Sequence, residues 1–307
     1  MSARAATPRV QAVVVAYNSA RTLRACVAPL AAMEGVGVIV VDNASPDDSL
    51  GAVAGLPVTT VRSTRNRGFA AGCNLGVAHA SAPYVLLLNP DARIAAPALD
   101  ALAAVLDADA TVGIAAPRIL EQDGSLAHSQ RRFPRRRSTF AQALFLHRLW
   151  PRAAWTDELV RDPAAYEVAG SPEWVSGACM LVRRSTLEAL GGLEERYFLY
   201  CEDIDLCARM HHAGFSVRFV PEAVVHHEGG ASRPREELLA LYARNRVRYA
   251  RAHGGRAAAA TEAVGVALGH VTHALAALAR PAHRRGHLRA VGAALSPMPF
   301  RLPKEAR

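Results

Sequence analysis

Lysine is almost missing from this chain of 307 residues: Lys304 is the only one, and arginine carries the rest of the positive charge. An Ala- and Arg-rich bias of this kind is what a GC-rich genome produces, so it is not read as function. Cysteine is equally thin. Cys26, Cys73, Cys179, Cys201 and Cys207 are odd in number and form no CxxC pair. Neither a disulfide framework nor a cysteine zinc site is indicated, and a reducing cytoplasm is the expected home. Residues 1–10 hold no apolar stretch of the kind a secretory signal needs, so none is expected. Internal repeats are also lacking. Aromatic residues are sparse towards the C-terminus (Tyr242, Tyr249 and Phe300), which leaves no stacking platform for nucleic acid.

What remains is globular in character, with 51% hydrophobic and 21% charged residues and enough length to bury a large core. The net charge of +9 is uneven. From residue 231 onward there are 14 Arg and Lys against 4 Asp and Glu, so the preceding part is close to neutral. A basic tail of this kind suits an acidic partner or an anionic lipid surface.

Apolar runs at 10–16, 36–41, 58–62, 84–88 and 112–116 read as strands, and 19–32, 69–80 and 97–107 as helices between them. This alternation predicts a mostly parallel α/β sheet flanked by helices. The middle differs: 131–137 is a basic, proline-broken loop, and 150–172 has no clean period. Strands are expected again at 174–183, 215–220 and 223–227, with helices at 185–190 and 202–213. Helical segments at 236–252, 257–279 and 287–295 form a C-terminal extension, dividing the chain into 8–232 and 233–307.

Asn89-Pro90-Asp91 directly follows the run Tyr84-Val85-Leu86-Leu87-Leu88. Proline cannot donate to a sheet ladder, so the strand stops there and delivers Asp91 to the carboxyl edge, where open α/β sheets bind ligands. Asp42 closes the second strand, either to read a ribose hydroxyl or to bond its own turn. In Asn66-Arg67-Gly68-Phe69-Ala70-Ala71-Gly72-Cys73-Asn74-Leu75-Gly76 the glycines recur every four residues along one helix face. That spacing serves close packing, while Arg67 and the helix N-terminus can face a diphosphate. Glu202, Asp203 and Asp205 crowd the first turn of a helix, where the dipole favours acids and Asp205 can pair with Arg209. Crowded carboxylates raise one another's pKa, which suits a general base. His226, ending a short strand, or its neighbour His227 can join Asp91 as a ligand pair for Mn²⁺ or Mg²⁺ completed by substrate phosphates.

In this order, Val-Val-Ala-Tyr-Asn (14–18), Val-Asp-Asn-Ala-Ser (41–45), the 66–76 segment, Leu-Asn-Pro-Asp-Ala (88–92), Ser-Gly-Ala (176–178) and Phe-Leu-Tyr-Cys-Glu-Asp-Ile-Asp-Leu (198–206) resemble the family 2 glycosyltransferases, in particular their rhamnosyltransferase-like branch. The resemblance implies the GT-A fold, a nucleotide-diphosphate sugar donor and an inverting transfer to an acceptor hydroxyl. It implies that Tyr17, Asn18 and Asp42 hold the nucleoside with Asn66 and Asn74 nearby, and that Ser176 and Gly177 line the floor of the sugar site. Asp91 is then on the metal with His226, and Asp203 is the base. Asn89 departs from the family, which has an acid there, so Asp91 is left as the motif's single acid.

A glycan or lipid-linked acceptor is the expectation in this branch, with a thymidine-diphosphate rhamnose donor as the guess from family. Residues 257–279 carry one formal charge, Glu262, and are rich in Ala and Gly with Thr and His, which suits an interfacial helix better than a spanning one. Packing on the catalytic part, or on a second copy in a homodimer, is the other use of that tail. A peripheral position at the inner face of the plasma membrane is therefore expected. A sugar-nucleotide-binding scaffold and a metal-dependent phosphoesterase are the competing functions.

Overall fold

The computed structural model describes residues 8–228, 238–277 and 281–296. The expected boundary at 232–233, and the expected helix limits at Glu236 and Ala279, lie outside the described residues. The described residues fall into two compact units. The first takes those within Met1–Gln130, Pro163–Phe198 and Glu202–Ala231. The second takes those within Arg131–Asp162, Leu199–Cys201 and Ser232–Arg307. The second unit therefore includes the 131–162 stretch as well as the tail.

The first unit opens with β1 (Val10–Ala16), α1 (Ala20–Ala31), β2 (Val36–Asp42), β3 (Thr59–Arg62), α2 (Phe69–Val77) and β4 (Tyr84–Leu88). It continues with β5 (Ala92–Ile94), α3 (Ala96–Ala108) and β6 (Val112–Glu121). The very short strands β7 (Gln130–Arg131) and β8 (Trp174–Val175) lie outside the main sheet. The chain of the second unit contributes α4 (Arg136–Ala143) and α5 (Leu146–Leu149). Then come β9 (Cys179–Arg183), α6 (Arg184–Ala189), α7 (Glu202–His212) and β10 (Ser216–His227), followed by α8 (Leu239–Ala276) and α9 (Pro281–Leu295).

Eight strands form one sheet in the order β3-β2-β1-β4-β9-β6-β10-β5. β1 to β4 pair in parallel, as does β6 with β10, whereas β9 runs antiparallel between β4 and β6. This is the mostly parallel, mixed sheet of the expected architecture. Val14, Val40, Leu86 and Leu88 are wholly shielded on it, and Leu23, Leu30, Leu102 and Leu106 cover it from α1 and α3. Burial on both faces explains why the strands read as unbroken apolar runs.

Two local departures position the site. The expected strand 174–183 is broken at Ser176-Gly177-Ala178, so those three residues form a turn entering β9. The expected strands 215–220 and 223–227 are one strand, β10, with a register shift between Val220 and Val224. The glycines of α2 do pack: a Cβ on Gly72 would lie 2.6 Å from Val15 Cγ1, and one on Gly76 would collide with Val13.

Within the second unit, α8 is broken at Gly255, whose φ is 77°. Arg246 before the break reaches Glu262 beyond it at 2.6 Å and Glu158 at 2.6 Å, all three buried. Thr139 on α4 donates its hydroxyl to Glu262 at 2.9 Å. The single acid of the expected interfacial helix thus faces inward, as a buried charge requires. Among the described residues, no helix is long and apolar enough to cross a membrane.

Candidate active site

The carboxyl ends of β1, β2 and β4, the turn entering β9 and the end of β10 meet at one edge of the sheet. At the end of β1, Tyr17 is half-buried and Asn18 exposed with φ at 54°. Asn18 N–H donates to Ser45 Oγ at 3.3 Å. Asp42, half-buried at the end of β2, accepts the Ser45 N–H at 3.0 Å. The turn reading of Asp42 therefore holds for one oxygen, and the strand-end placement leaves the carboxylate at the edge.

Its neighbour Asn43, which sequence reasoning missed, is buried and organises the next segment. Its amide donates to Asn66 Oδ1 at 2.9 Å and to the Gly68 carbonyl at 3.0 Å, and its Oδ1 accepts the Arg67 N–H at 3.1 Å. Asn66 Oδ1 also accepts the Gly68 N–H. Gly68 has φ at 88°, and any Cβ there would run into the Phe198 carbonyl. The first N–H of α2 is taken: Phe69 N–H donates to Phe198 O at 2.6 Å. Arg67 pairs with Glu195 at 2.7 Å, and Asn74 exchanges hydrogen bonds with the Leu193 backbone at 2.8 Å. Asn74, expected near the nucleoside, is corrected: its amide donates to the Leu193 carbonyl and to Glu195. Arg67 and Asn74 thus clasp the loop leading towards α7, Arg67 through one guanidinium nitrogen with its side chain half exposed.

At the end of β4, Asn89 N–H donates to Ala178 O at 2.9 Å, tying the Asn89-Pro90-Asp91 turn to Ser176-Gly177-Ala178. Asp91, partly exposed, meets an imidazole, but not that of His226. His227 is buried, with Nε2 3.0 Å from Asp91 Oδ1 and 3.3 Å from Asn89 Nδ2. His226 is exposed and lines a separate groove with Met33, Arg93 and Glu222. His226 is corrected: of the two adjacent histidines it is His227 that meets Asp91. Side chains alternate along β10, and Val225 and His227 share the inward face. That alternation was readable from Ala223 and Val225.

The three acids of α7 have three different surroundings. Asp203 alone faces the turn: its Oδ2 accepts the Gly177 N–H at 3.1 Å and its Oδ1 the Ile204 N–H at 2.8 Å. A Cβ on Gly177 would lie 3.3 Å from that of Asp203, so glycine lets the carboxylate approach closely. Asp205 is buried and engaged by Arg209 at 2.7 Å and the Tyr197 hydroxyl at 3.2 Å. Glu202 is buried with Oε2 unpartnered, and its pKa is pushed well up by desolvation and then by the charge of Asp203. A catalytic role expected of Glu202 and Asp205 is corrected on this ground: the first turn buries both, and neither reaches the open edge.

The Glycosyl transferase family 2 model matches residues 11–166, and a Glycosyl transferase family 21 model matches 160–295. The N-acetylglucosaminyl-diphospho-decaprenol L-rhamnosyltransferase of Mycobacterium tuberculosis is 32% identical over 236 residues, covering 72% of this chain and 75% of that protein. This chain belongs to glycosyltransferase family 2. As a family 2 enzyme, it transfers a sugar from a nucleotide-diphosphate donor to an acceptor, and its relatives include rhamnosyltransferases. The Pre-mycofactocin glycosyltransferase of M. tuberculosis is 28% identical over 71% of this chain and 42% of its own. Among solved structures, the mannosyltransferase PcManGT of Pyrobaculum calidifontis, in complex with GDP-Man and Mn²⁺, superposes with a TM-score of 0.54 at 21% identity, covering 94% of this chain and 86% of that one. That likeness is one of fold.

Among the described residues, no group of three or more His, Cys, Asp or Glu side chains could hold a metal by itself. Asp91 Oδ1 and His227 Nε2 do supply two donors 3.0 Å apart. They stand close enough for one divalent cation to bind both. Two protein donors fit a cation whose shell the substrate phosphates complete.

Proposed function

We propose that this family 2 enzyme transfers a deoxyhexose, L-rhamnose, with inversion to a hydroxyl of a lipid-linked glycan acceptor in cell-envelope synthesis. The observation that carries the chemistry is the short path between the two halves of the edge. Asp203 accepts from Gly177 N–H, and the adjacent Ala178 carbonyl accepts from Asn89 N–H beside Asp91. The M. tuberculosis relative named for decaprenol-linked N-acetylglucosamine supports the acceptor class.

In this reading Tyr17, Asn18 and Asp42 receive the nucleoside, with Asn66 and Asn89 shaping the segments beside it. Ser176 and Gly177 form the floor under the sugar, where a larger side chain would intrude. Asp203 removes the acceptor proton as the oxygen bonds to the anomeric carbon and the bond to the diphosphate breaks. Asp91 and His227 are the residues to hold a divalent cation, Mn²⁺ or Mg²⁺, which when bound offsets the negative charge of the departing diphosphate.

The test is a thermal-shift panel of nucleotide sugars with and without Mn²⁺, followed by transfer to a polyprenyl-diphosphate-linked N-acetylglucosamine. Stabilisation by thymidine-diphosphate rhamnose and rhamnosyl transfer to that lipid support the reading. Preference for another donor, or transfer only to soluble acceptors, rejects the substrate.

A further inference from the structure

The elbow between α4 and α5 in the second unit has features that sugar transfer does not use. Phe145 joins the two helices with φ at 57°, a left-handed backbone that a bulky side chain rarely adopts. Around that turn stand Leu144 (53% exposed), Leu149 (69%), Trp150 (52%) and Trp155 (46%). Hydrophobic side chains of this size exposed together in a short stretch mark an interaction surface.

The elbow is preformed rather than loose. Thr156 is fully buried, and its hydroxyl lies 2.8 Å from the carbonyls of both Trp150 and Ala153. Trp150 N–H donates to Leu146 O at 3.0 Å, and the two indole rings are 6.1 Å apart, centre to centre. The surrounding charge has one sign: residues 131–155 contain seven arginines and no Asp or Glu. Arg135, Arg136, Arg137, Arg148 and Arg152 are exposed, and the Arg148 guanidinium lies 4.4 Å over the Phe145 ring.

We infer that this elbow docks the protein on an anionic lipid bilayer. Tryptophan prefers the headgroup level, with an apolar ring and a polar N–H edge. Leu144 and Leu149 enter the acyl boundary, and the arginines meet lipid phosphates. A second copy seated on the same face would bring arginine against arginine. Nucleic acid would leave Leu144 and Leu149 in water, whereas the acyl boundary buries them.

The surface differs from the tail helix to which the sequence first points. That helix sends Glu262 inward to Arg246, and its Gly265 faces Thr139 and Phe140 of α4. The inference deepens the lipid-linked-acceptor reading and rests on it for its purpose, yet bilayer binding is measured without any substrate.

The experiment uses the full chain with sucrose-loaded vesicles of phosphatidylcholine, alone or mixed with phosphatidylglycerol. The protein sediments with the mixed vesicles, and its tryptophan emission shifts to the blue, since the elbow holds two of the chain's three tryptophans. Trp150→Ser with Trp155→Ser, and separately Leu149→Ser, lower the partition about tenfold. Their melting temperatures and their transfer to a water-soluble acceptor stay as in the parent. Leu275→Ser with Leu288→Ser on α8 and α9 leaves binding intact. Wild-type protein that ignores the vesicles overturns the inference, as does undiminished binding by the elbow variants. Loss confined to the tail variant, or displacement of the vesicles by a single-stranded oligonucleotide, overturns it too. Vesicle binding without rhamnosyl transfer instead counts against the substrate reading alone.

Discussion

Gly177 donates its backbone N–H to Asp203 Oδ2 at 3.1 Å, and a Cβ at residue 177 would stand only 3.3 Å from that of Asp203. This contact links the turn entering β9 to the first turn of α7. It holds one carboxylate oxygen while Asp203 stays only half-buried.

If Asp203 is the base, Asp203→Asn keeps the shape and one of the two backbone hydrogen bonds, from Gly177 or Ile204, but cannot take a proton. Transfer should fall by about 10²–10⁴, with donor-induced thermal stabilisation retained. Turnover equal to the parent's would remove Asp203 from that role.

His227 and His226 are separable by mutation. His227→Ala should abolish the extra stabilisation that Mn²⁺ gives to donor binding, because Asp91 loses its companion donor. His226→Ala, at an exposed position facing a different groove, should leave the Mn²⁺ titration unchanged. The reverse pattern would return the ligand role to His226.

Asp205 is predicted to matter for folding rather than turnover. Asp205→Ala leaves Arg209 and the Tyr197 hydroxyl without their acceptor, a loss of roughly 3 kcal/mol for a largely buried pair. Chemical denaturation measures it. A stable variant with transfer lost would instead place Asp205 in the chemistry.

Glu202 makes stability depend on pH in a definite direction. Burial raises its folded pKa above the ordinary 4.5, so the folded state keeps a proton that the unfolded chain releases. Its contribution is fully present below 4.5 and is lost as pH rises through the folded value. Glu202→Gln carries no such proton. Its melting temperature should match the parent's in acid and exceed it increasingly as pH rises from about 4.5. A constant difference across that range would contradict the buried, neutral state.

Much of this site was legible because parallel strands end at a common edge, so residues after apolar runs must gather there. Asp42, Asn89 and Asp91 were found in that way. Asn43 was not, since a buried amide in a turn has no pattern beyond its turn-forming neighbours. The contacts of Arg67 and Asn74 were not legible, because nothing local reveals Glu195 and the Leu193 backbone, which lie more than a hundred residues further along the chain. The acids of α7 were recognisable as a cluster. Their separate roles follow from which face of one helical turn is covered.

Local order along the chain was enough to specify the alternating strands, the proline stop after Leu88, the small-residue face of α2 and the family motifs. Each of these depends on neighbours within a few residues or on backbone chemistry. Tertiary structure alone decided which histidine meets Asp91, which of Glu202, Asp203 and Asp205 stays at the open edge, and that Glu262 faces inward. Those outcomes depend on the distant groups that bury or pair a charge, and the energy of a charge is set by what surrounds it in space.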